Sequence, residues 1–332
     1  MSKQRALTPE EQVYERYAFR ITNQIENTIK GNPENDPVAR QYIPQMAELD
    51  VKPEEHPDPI GDNAHSPVKG IVHRYPDRAL FKVAHVCAVY CRYCFRREMV
   101  GPGGDILSAD EIEAALDYIR AHPEIFEIIL TGGDPLVLSA KRLGALLDSL
   151  ETIAHIKIIR IHTRVPIADP ARITKNLAAV LNRRTPVYVA LHVNHVQEIT
   201  PEVEEALNRL TRAGCVLLSQ SVLLKGVNDN ADILEALYKK LLTLRVKPYY
   251  LHHPDFAPGT SHFRLSIAEG QAIMRRLQGR ISGLCQPHYM LDIPGGAGKV
   301  PLTPCYLAEL ENGEYVVEDY RGGKHSYPPL KT

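Results

Sequence analysis

A chain of 332 residues, 44% hydrophobic and 24% charged, has the composition of an ordinary globular protein and the length to bury a substantial core. Its formal charge of −1 offers no global field for nucleic acid or for an anionic membrane. The first residues are too polar for a secretory signal, no apolar run reaches transmembrane length, and six cysteines are too few for a disulfide scaffold, so a cytoplasmic protein with reduced thiols is expected.

In chain order, Thr8 is placed to cap a helix predicted over residues 9–30, with Glu10 and Glu11 in its first turn. The polar, proline-rich stretch "VKPEEHPDPIGDNAHSPVKG" has neither helical nor strand periodicity and reads as a linker or wrapping segment. Residues 1–70 therefore form a helical and wrapping part. Beyond it β-rich runs recur: "ALFKVAHV", "EIFEIIL", "HIKIIRIH", "PVYVALHV", "CVLLSQSVLL" and "VKPYYLHH". Amphipathic helices lie between them. "SADEIEAALDYIRAH" opens with a capping box, Ser108 with Glu111, and "SAKRLGALLDSLETI" sets Leu143, Leu146, Leu147 and Leu150 on one face. The alternation predicts six parallel βα units within residues 71–300. A doubly wound sheet and a barrel-like arrangement both fit, and in either the chemistry belongs at the carboxyl ends of the strands. Residues 301–332 hold a short β-like piece, "GEYVVEDYRGG", and a polar tail.

Half of the cysteines fall in "HVCAVYCRYCFRRE", directly after the first of these strands. Cys87, Cys91 and Cys94, spaced C-x3-C-x2-C, admit a zinc site with His85 as fourth ligand, buried small hydrophobes, or an iron–sulfur cubane with one iron left open. After the second strand, "LTGGDPL" reads equally as a βα turn capped by Asp134 or as a place where Gly132 and Gly133 let the backbone approach a ligand. "MLDIPGGAGKVPLTP" is not a phosphate-binding Walker loop, because the spacing is wrong and no Ser or Thr follows Lys299. It is either a surface turn or a glycine cradle beside a lysine able to form an imine with pyridoxal phosphate. Arg74, Tyr75 and Arg78 in "HRYPDRALF" are either a solvated linker or phosphate partners.

The cysteine loop after a strand, in a βα background, resembles the radical S-adenosylmethionine (SAM) enzymes. With "HRYPDR", "TGGDPL", "RIHTRVP", "LHVNH", "QSVLLKGVND", "YYLHHPD" and "DIPGGAGK" in order, the chain from about residue 65 to residue 330 resembles the lysine 2,3-aminomutase family. The resemblance implies a partial (β/α)6 barrel with an N-terminal helical extension and a short C-terminal β segment. It implies a 4Fe-4S cluster on Cys87, Cys91 and Cys94, with SAM chelating the open iron. Gly132, Gly133 and Asp134, with His192 and Gln220, would face SAM; read alone, His192 and Gln220 are core or capping residues. Lys299 would hold pyridoxal phosphate, with Arg74, Tyr75 and Arg78 near the phosphate and Arg96 on the substrate carboxylate. Asp255 and Asp292, each explicable alone as a turn or cap residue, match the acidic pair that grips the lysine ε-ammonium; glutamate-specific relatives lack that pair.

The implied activity is an isomerase reaction converting L-lysine to β-lysine by radical 1,2-amino migration, with hydrogen taken and returned by a 5′-deoxyadenosyl group. Arginine stays open as a substrate, as does a role supplying (R)-β-lysine for elongation factor P. The partners implied are the amino acid and an electron donor such as flavodoxin or ferredoxin, with no nucleic acid and no membrane; a homo-oligomer is left open. No cysteine follows Cys305, so the C-terminal zinc segment of clostridial relatives, and the tetramer it joins, are not expected. Two rivals are a zinc-stabilised scaffold, against which Lys299 speaks, and a radical enzyme without pyridoxal phosphate.

Overall fold

Thr8 caps a helix, α1 (Pro9–Arg16), its hydroxyl accepting from the Glu11 N–H, but the helix expected to run to residue 30 stops at Tyr17, whose backbone is extended. Two single turns follow, α2 (Asn23–Glu26) and α3 (Ala39–Tyr42). The reason is tertiary: Tyr17, Ile25, Val38 and Tyr42 are all buried, and the Arg97 guanidinium sits 3.5 Å above the Tyr17 ring. Burying these side chains against the body outweighs the weak local preference for continuing the helix. This computed structural model describes residues 8–101, 103–311 and 313–328.

A hairpin, β1 (Ile71–Tyr75) with β2 (Arg78–Ala84), opens a nine-stranded sheet. Strands β3 (Glu127–Gly132), β4 (Ile158–Thr163), β5 (Val187–His192), β6 (Val216–Val222), β7 (Val246–His252) and β8 (His288–Ile293) follow, each parallel to the one before. A last strand, β9 (Gly298–Pro301), turns back antiparallel on β8. The six strands read from sequence are β2–β7. The flanking strands were not read, because "IVHRY" and "HYMLDI" are short and interrupted by polar residues. Helices α4 (Ala109–Arg120), α5 (Ala140–Glu151), α6 (Val165–Ala168), α7 (Lys175–Leu181), α8 (Pro201–Arg212), α9 (Ala231–Thr243) and α10 (Ile267–Leu277) connect the parallel strands. The Ser108–Glu111 capping box that starts α4 is present as expected.

Strand neighbours follow chain order throughout, with no point at which the order reverses. That excludes the doubly wound alternative, whose ligand crevice requires such a reversal. The sheet instead curls into a partial barrel. Alternation along each strand sorts the side chains. On β4, Ile159 and Ile161 join the core beneath the helices, while Arg160 and His162 face the interior; on β5, Val189 and Leu191 face out and His192 in. β1 and β9 do not pair, so the barrel stays open on one side. The wrapping segment covers that side: an added Cβ on Gly61 would lie 2.6 Å from the Gly295 carbonyl carbon, so only glycine lets these backbones meet. The C-terminal residues form a separate meander, β10 (Leu307–Glu309), β11 (Tyr315–Glu318) and β12 (Lys324–Tyr327), tied to α10 by Arg275 and Glu318 at 3.2 Å. Among the described residues, no helix is long and apolar enough to cross a membrane.

Candidate active site

The barrel interior holds a cavity of about 480 Å³, a volume suited to cofactors and a small substrate. Every residue that the family resemblance assigns to the site lines it: the three cysteines from the loop after β2, Gly132–Asp134 after β3, His192 and Gln220 at the ends of β5 and β6, Asp255 beyond β7, Asp292 on β8, Lys299 on β9, and Arg74, Tyr75, Arg78 and Arg96. His85, the zinc reading's fourth ligand, is not part of this wall.

Cys87, Cys91 and Cys94 are free thiols. Burial, then the charges of Asp134 and the other two cysteines, pushes the Cys87 thiol well up; burial and Cys91 raise Cys94 to about 11. Three such thiolates repel one another and need a cationic partner to coexist. Among the described residues the three sulfurs are not gathered within 4.8 Å of one another, so no mononuclear site is preassembled here.

The loop is buckled from outside the barrel. Glu48, fully buried in the N-terminal part, accepts from Arg92 Nε and Nη2 at 3.0 and 2.5 Å and also from Arg97 Nη2. Below Cys91, Arg164 Nη1 lies 3.2 Å from its Sγ and also donates to the Tyr93 hydroxyl. Arg164 Nη2 donates to Glu198 at 2.5 Å and to Gln41 at 2.7 Å. Tyr93 in turn meets His192 Nε2 at 3.0 Å. Burial, then the Arg164 charge, keeps that imidazole neutral.

The glycines of "LTGGDPL" have a structural task. A Cβ on Gly132 would lie 2.3 Å from the Ala84 carbonyl oxygen, and one on Gly133 2.2 Å from that of Val86. They let the end of β3 press against the root of the cysteine loop, where the Asp134 N–H donates to the Val86 carbonyl at 2.9 Å. The Asp134 carboxylate accepts from Thr163 Oγ1 and the backbone N–H groups of Leu136, Arg164 and Val165, so its side chain organises two turns.

At the open side of the barrel, the Lys299 N–H donates to the Tyr75 hydroxyl at 2.8 Å, bridging β9 to β1, and Arg78 stacks 3.8 Å from the Tyr75 ring. Gly295, Gly296 and Gly298 all have positive φ, and a Cβ on Gly296 would strike His65 Nε2 at 2.8 Å. Asp62, which the sequence did not single out, is buried and joins two of the cavity arginines, accepting from Arg96 Nη2 at 2.8 Å and Arg74 Nη2 at 3.1 Å.

The Lys299 ammonium grips both oxygens of Asp292, and His252 Nδ1 stands 3.6 Å from the same carboxylate. Burial alone would raise the Asp292 carboxyl, but His252 and Lys299 outweigh it and hold it well below the usual range. Asp255 goes the other way: burial, then the Asp292 charge, pushes it up to about 7 against the pull of Lys299 and Arg96.

Residues 81–237 match the model of the Radical SAM superfamily. Barrel, cysteine loop and match define a radical SAM enzyme. Residues 274–331 match a second model, described as Lysine-2,3-aminomutase. The chain is 39% identical over 302 residues to the L-lysine 2,3-aminomutase of Clostridium subterminale, covering 91% of this chain and 73% of that one. It is 41% identical over 292 residues to the L-lysine 2,3-aminomutase of Methanococcus maripaludis (88% and 67% covered), and 39% identical over 282 residues to the glutamate 2,3-aminomutase of Clostridioides difficile (85% and 66% covered). The chain belongs to the lysine 2,3-aminomutase family and is an isomerase of the aminomutase type. Its cofactors are a 4Fe-4S cluster, SAM and pyridoxal phosphate.

The residues present fit these groups. The donor set is three free thiols lining one cavity. Arg74 Nε, in the same cavity lining as Lys299, is buried without a partner, as an anion site would leave it. Sequence reasoning missed Glu48, Asp62, Tyr93, Arg164 and Glu198. Arg164 lay in the quoted "RIHTRVP" and Tyr93 between two cysteines of the quoted triplet, which were the available signals; the others sit in stretches with no local pattern.

Proposed function

We propose that this enzyme converts L-lysine to β-lysine. The observation that carries the reading is the pair Asp255 and Asp292 sharing one cavity with Lys299 and Arg96. When Lys299 is committed to the cofactor, the Asp292 carboxylate is released from its ammonium. Two acidic side chains then face a second cation, and a substrate ε-ammonium, costly to bury unpaired, suits them. Arg96 takes the α-carboxylate: Asp62 occupies its Nε and Nη2, which holds the guanidinium plane and leaves Nη1 to donate.

In this reading Cys87, Cys91 and Cys94 hold the cluster, and Gly132, Gly133, His192 and Gln220 face SAM over a turn organised by Asp134. Arg74, Tyr75 and Arg78 hold the cofactor phosphate, and Lys299 holds its carbonyl carbon. When bound, the cluster with SAM supplies a carbon radical able to take hydrogen from an unactivated C–H, and pyridoxal phosphate supplies the unsaturation across which nitrogen migrates. The chain's own part is to orient the two ends of the substrate and keep water out. A one-electron donor such as flavodoxin or ferredoxin, and a reducing cytoplasmic setting, go with the unpaired thiols. The relatives' names favour lysine 2,3-amino migration itself over a dedicated role in elongation factor P modification.

The test is turnover of lysine, arginine and glutamate by wild type, Asp255→Asn and Asp292→Asn. Lysine is expected to be preferred, with each variant losing about 2–5 kcal/mol in lysine kcat/KM. Unchanged lysine turnover in both variants, or a wild-type preference for glutamate, overturns the substrate assignment.

A further inference from the structure

On the outside of the barrel, His73 of β1 meets His122 and Glu124 of the loop after α4. One potential ligand atom from each lies within 4.8 Å of the other two. None of the three lines the cavity.

Tyr118 on α4 orients both rings. His122 stacks on it with centroids 3.9 Å apart, and His122 Nδ1 lies 2.7 Å from the Tyr118 carbonyl oxygen. A carbonyl only accepts, so Nδ1 carries the hydrogen and Nε2 keeps a lone pair. Donation of the second ring nitrogen to a carbonyl is what orients a metal-binding histidine. His73 is held by the same residue, its Nδ1 2.9 Å from the Tyr118 hydroxyl, which can accept from it and leave Nε2 free to ligate. Both histidines are half-buried, which limits the entropy lost on binding, while Glu124 is exposed and in no ion pair among the described residues.

We propose that His73, His122 and Glu124 form a binding site for a divalent transition metal of the zinc type, with water completing the shell. Two imidazoles and one carboxylate suit zinc, nickel or copper and not magnesium or calcium, which prefer all-oxygen shells. Ligands at about 2.0–2.2 Å from an ion stand at most about 4.4 Å apart, and rotation of the exposed Glu124 with a small shift of the rings supplies any closure needed. The bound ion pins β1, the sheet's unpaired edge, to the α4–β3 loop, reinforcing the contact in which the Phe126 N–H donates to the Asp77 carbonyl at 2.8 Å. It does so one residue before Arg74. The site depends on neither the substrate reading nor the cavity.

The test uses anaerobically prepared holoenzyme, whose cluster cysteines are already engaged, incubated with zinc, desalted and assayed by mass spectrometry for metal content. Wild type is expected to retain about one zinc per chain and to gain thermal stability, and magnesium to do neither. His122→Asn and Glu124→Gln are expected to lose the retained zinc and the stability gain while unfolding as cooperatively as wild type. Cys305→Ser, which removes the exposed thiol, is expected to retain it. Equal zinc retention in wild type and His122→Asn, no retention in wild type, or retention that depends on Cys305 overturns the proposal.

Discussion

Among the described residues, Cys91 is the one cluster cysteine with a cation hydrogen-bonded to its sulfur, Arg164 Nη1 at 3.2 Å, and that cation is itself paired with Glu198. Reducing a cluster adds negative charge, which a hydrogen bond and positive charge at a ligating sulfur stabilise. Arg164→Met is therefore expected to lower the cluster's midpoint potential and Glu198→Gln to raise it, both read by redox titration followed by electron paramagnetic resonance. Shifts of the same sign in both variants would refute this. A second residue-scale expectation concerns pH. Asp255, pushed up to about 7, attracts an ammonium only when ionised, so kcat/KM for lysine is expected to rise as pH climbs through about 7 and to fall below it. Lys299 and Arg96 both lower this value, so a Lys299 committed to cofactor moves the limb upward, never downward. Asp255→Asn is expected to flatten that limb. A limb that survives in the variant belongs to another group.

At the scale of elements, the N-terminal part and the cysteine loop are one construction. Composition gives residues 51–70 as a linker or wrapping segment, and its polar side chains reach distant partners: Asp62 holds Arg74 and Arg96, Glu55 accepts from the Gly259 N–H at 2.8 Å, and Glu48 lies just before them under the loop. Such a segment shows no periodicity because its buried groups are single polar side chains aimed at partners far along the chain. Glu48→Ala leaves Arg92 and Arg97 buried without their carboxylate. It is expected to cost about 3–5 kcal/mol in chemical denaturation and to lower the iron retained per chain. A loss under about 1 kcal/mol, the size of an exposed pair, would mean that water replaces Glu48.

For the molecule as a whole, the open side between β1 and β9 makes residues 8–66 part of the barrel's closure. Deleting them is expected to abolish cooperative unfolding, since Tyr75–Lys299 would be the remaining bridge and Gly61 no longer packs on Gly295. A truncated chain with a wild-type melting temperature would show the barrel to be self-sufficient. The amino-acid sequence by itself determined the six strands β2–β7, the capped helix α4, the cysteine triplet, and the lysine in its glycine loop. Each is a pattern within a few residues, where period and spacing are set by local backbone geometry. Tertiary structure alone decided that the strands follow one another around a barrel, that helix 9–30 breaks at Tyr17, and that Asp292 holds Lys299 while Asp255 is pushed towards neutrality. It also decided the joining of Arg164 to Cys91 and of His73 to His122. Apart from Asp292 and Lys299, which face each other across the β8–β9 turn, these pairs lie tens of residues apart, and only the folded chain brings them together, so no local pattern announces them.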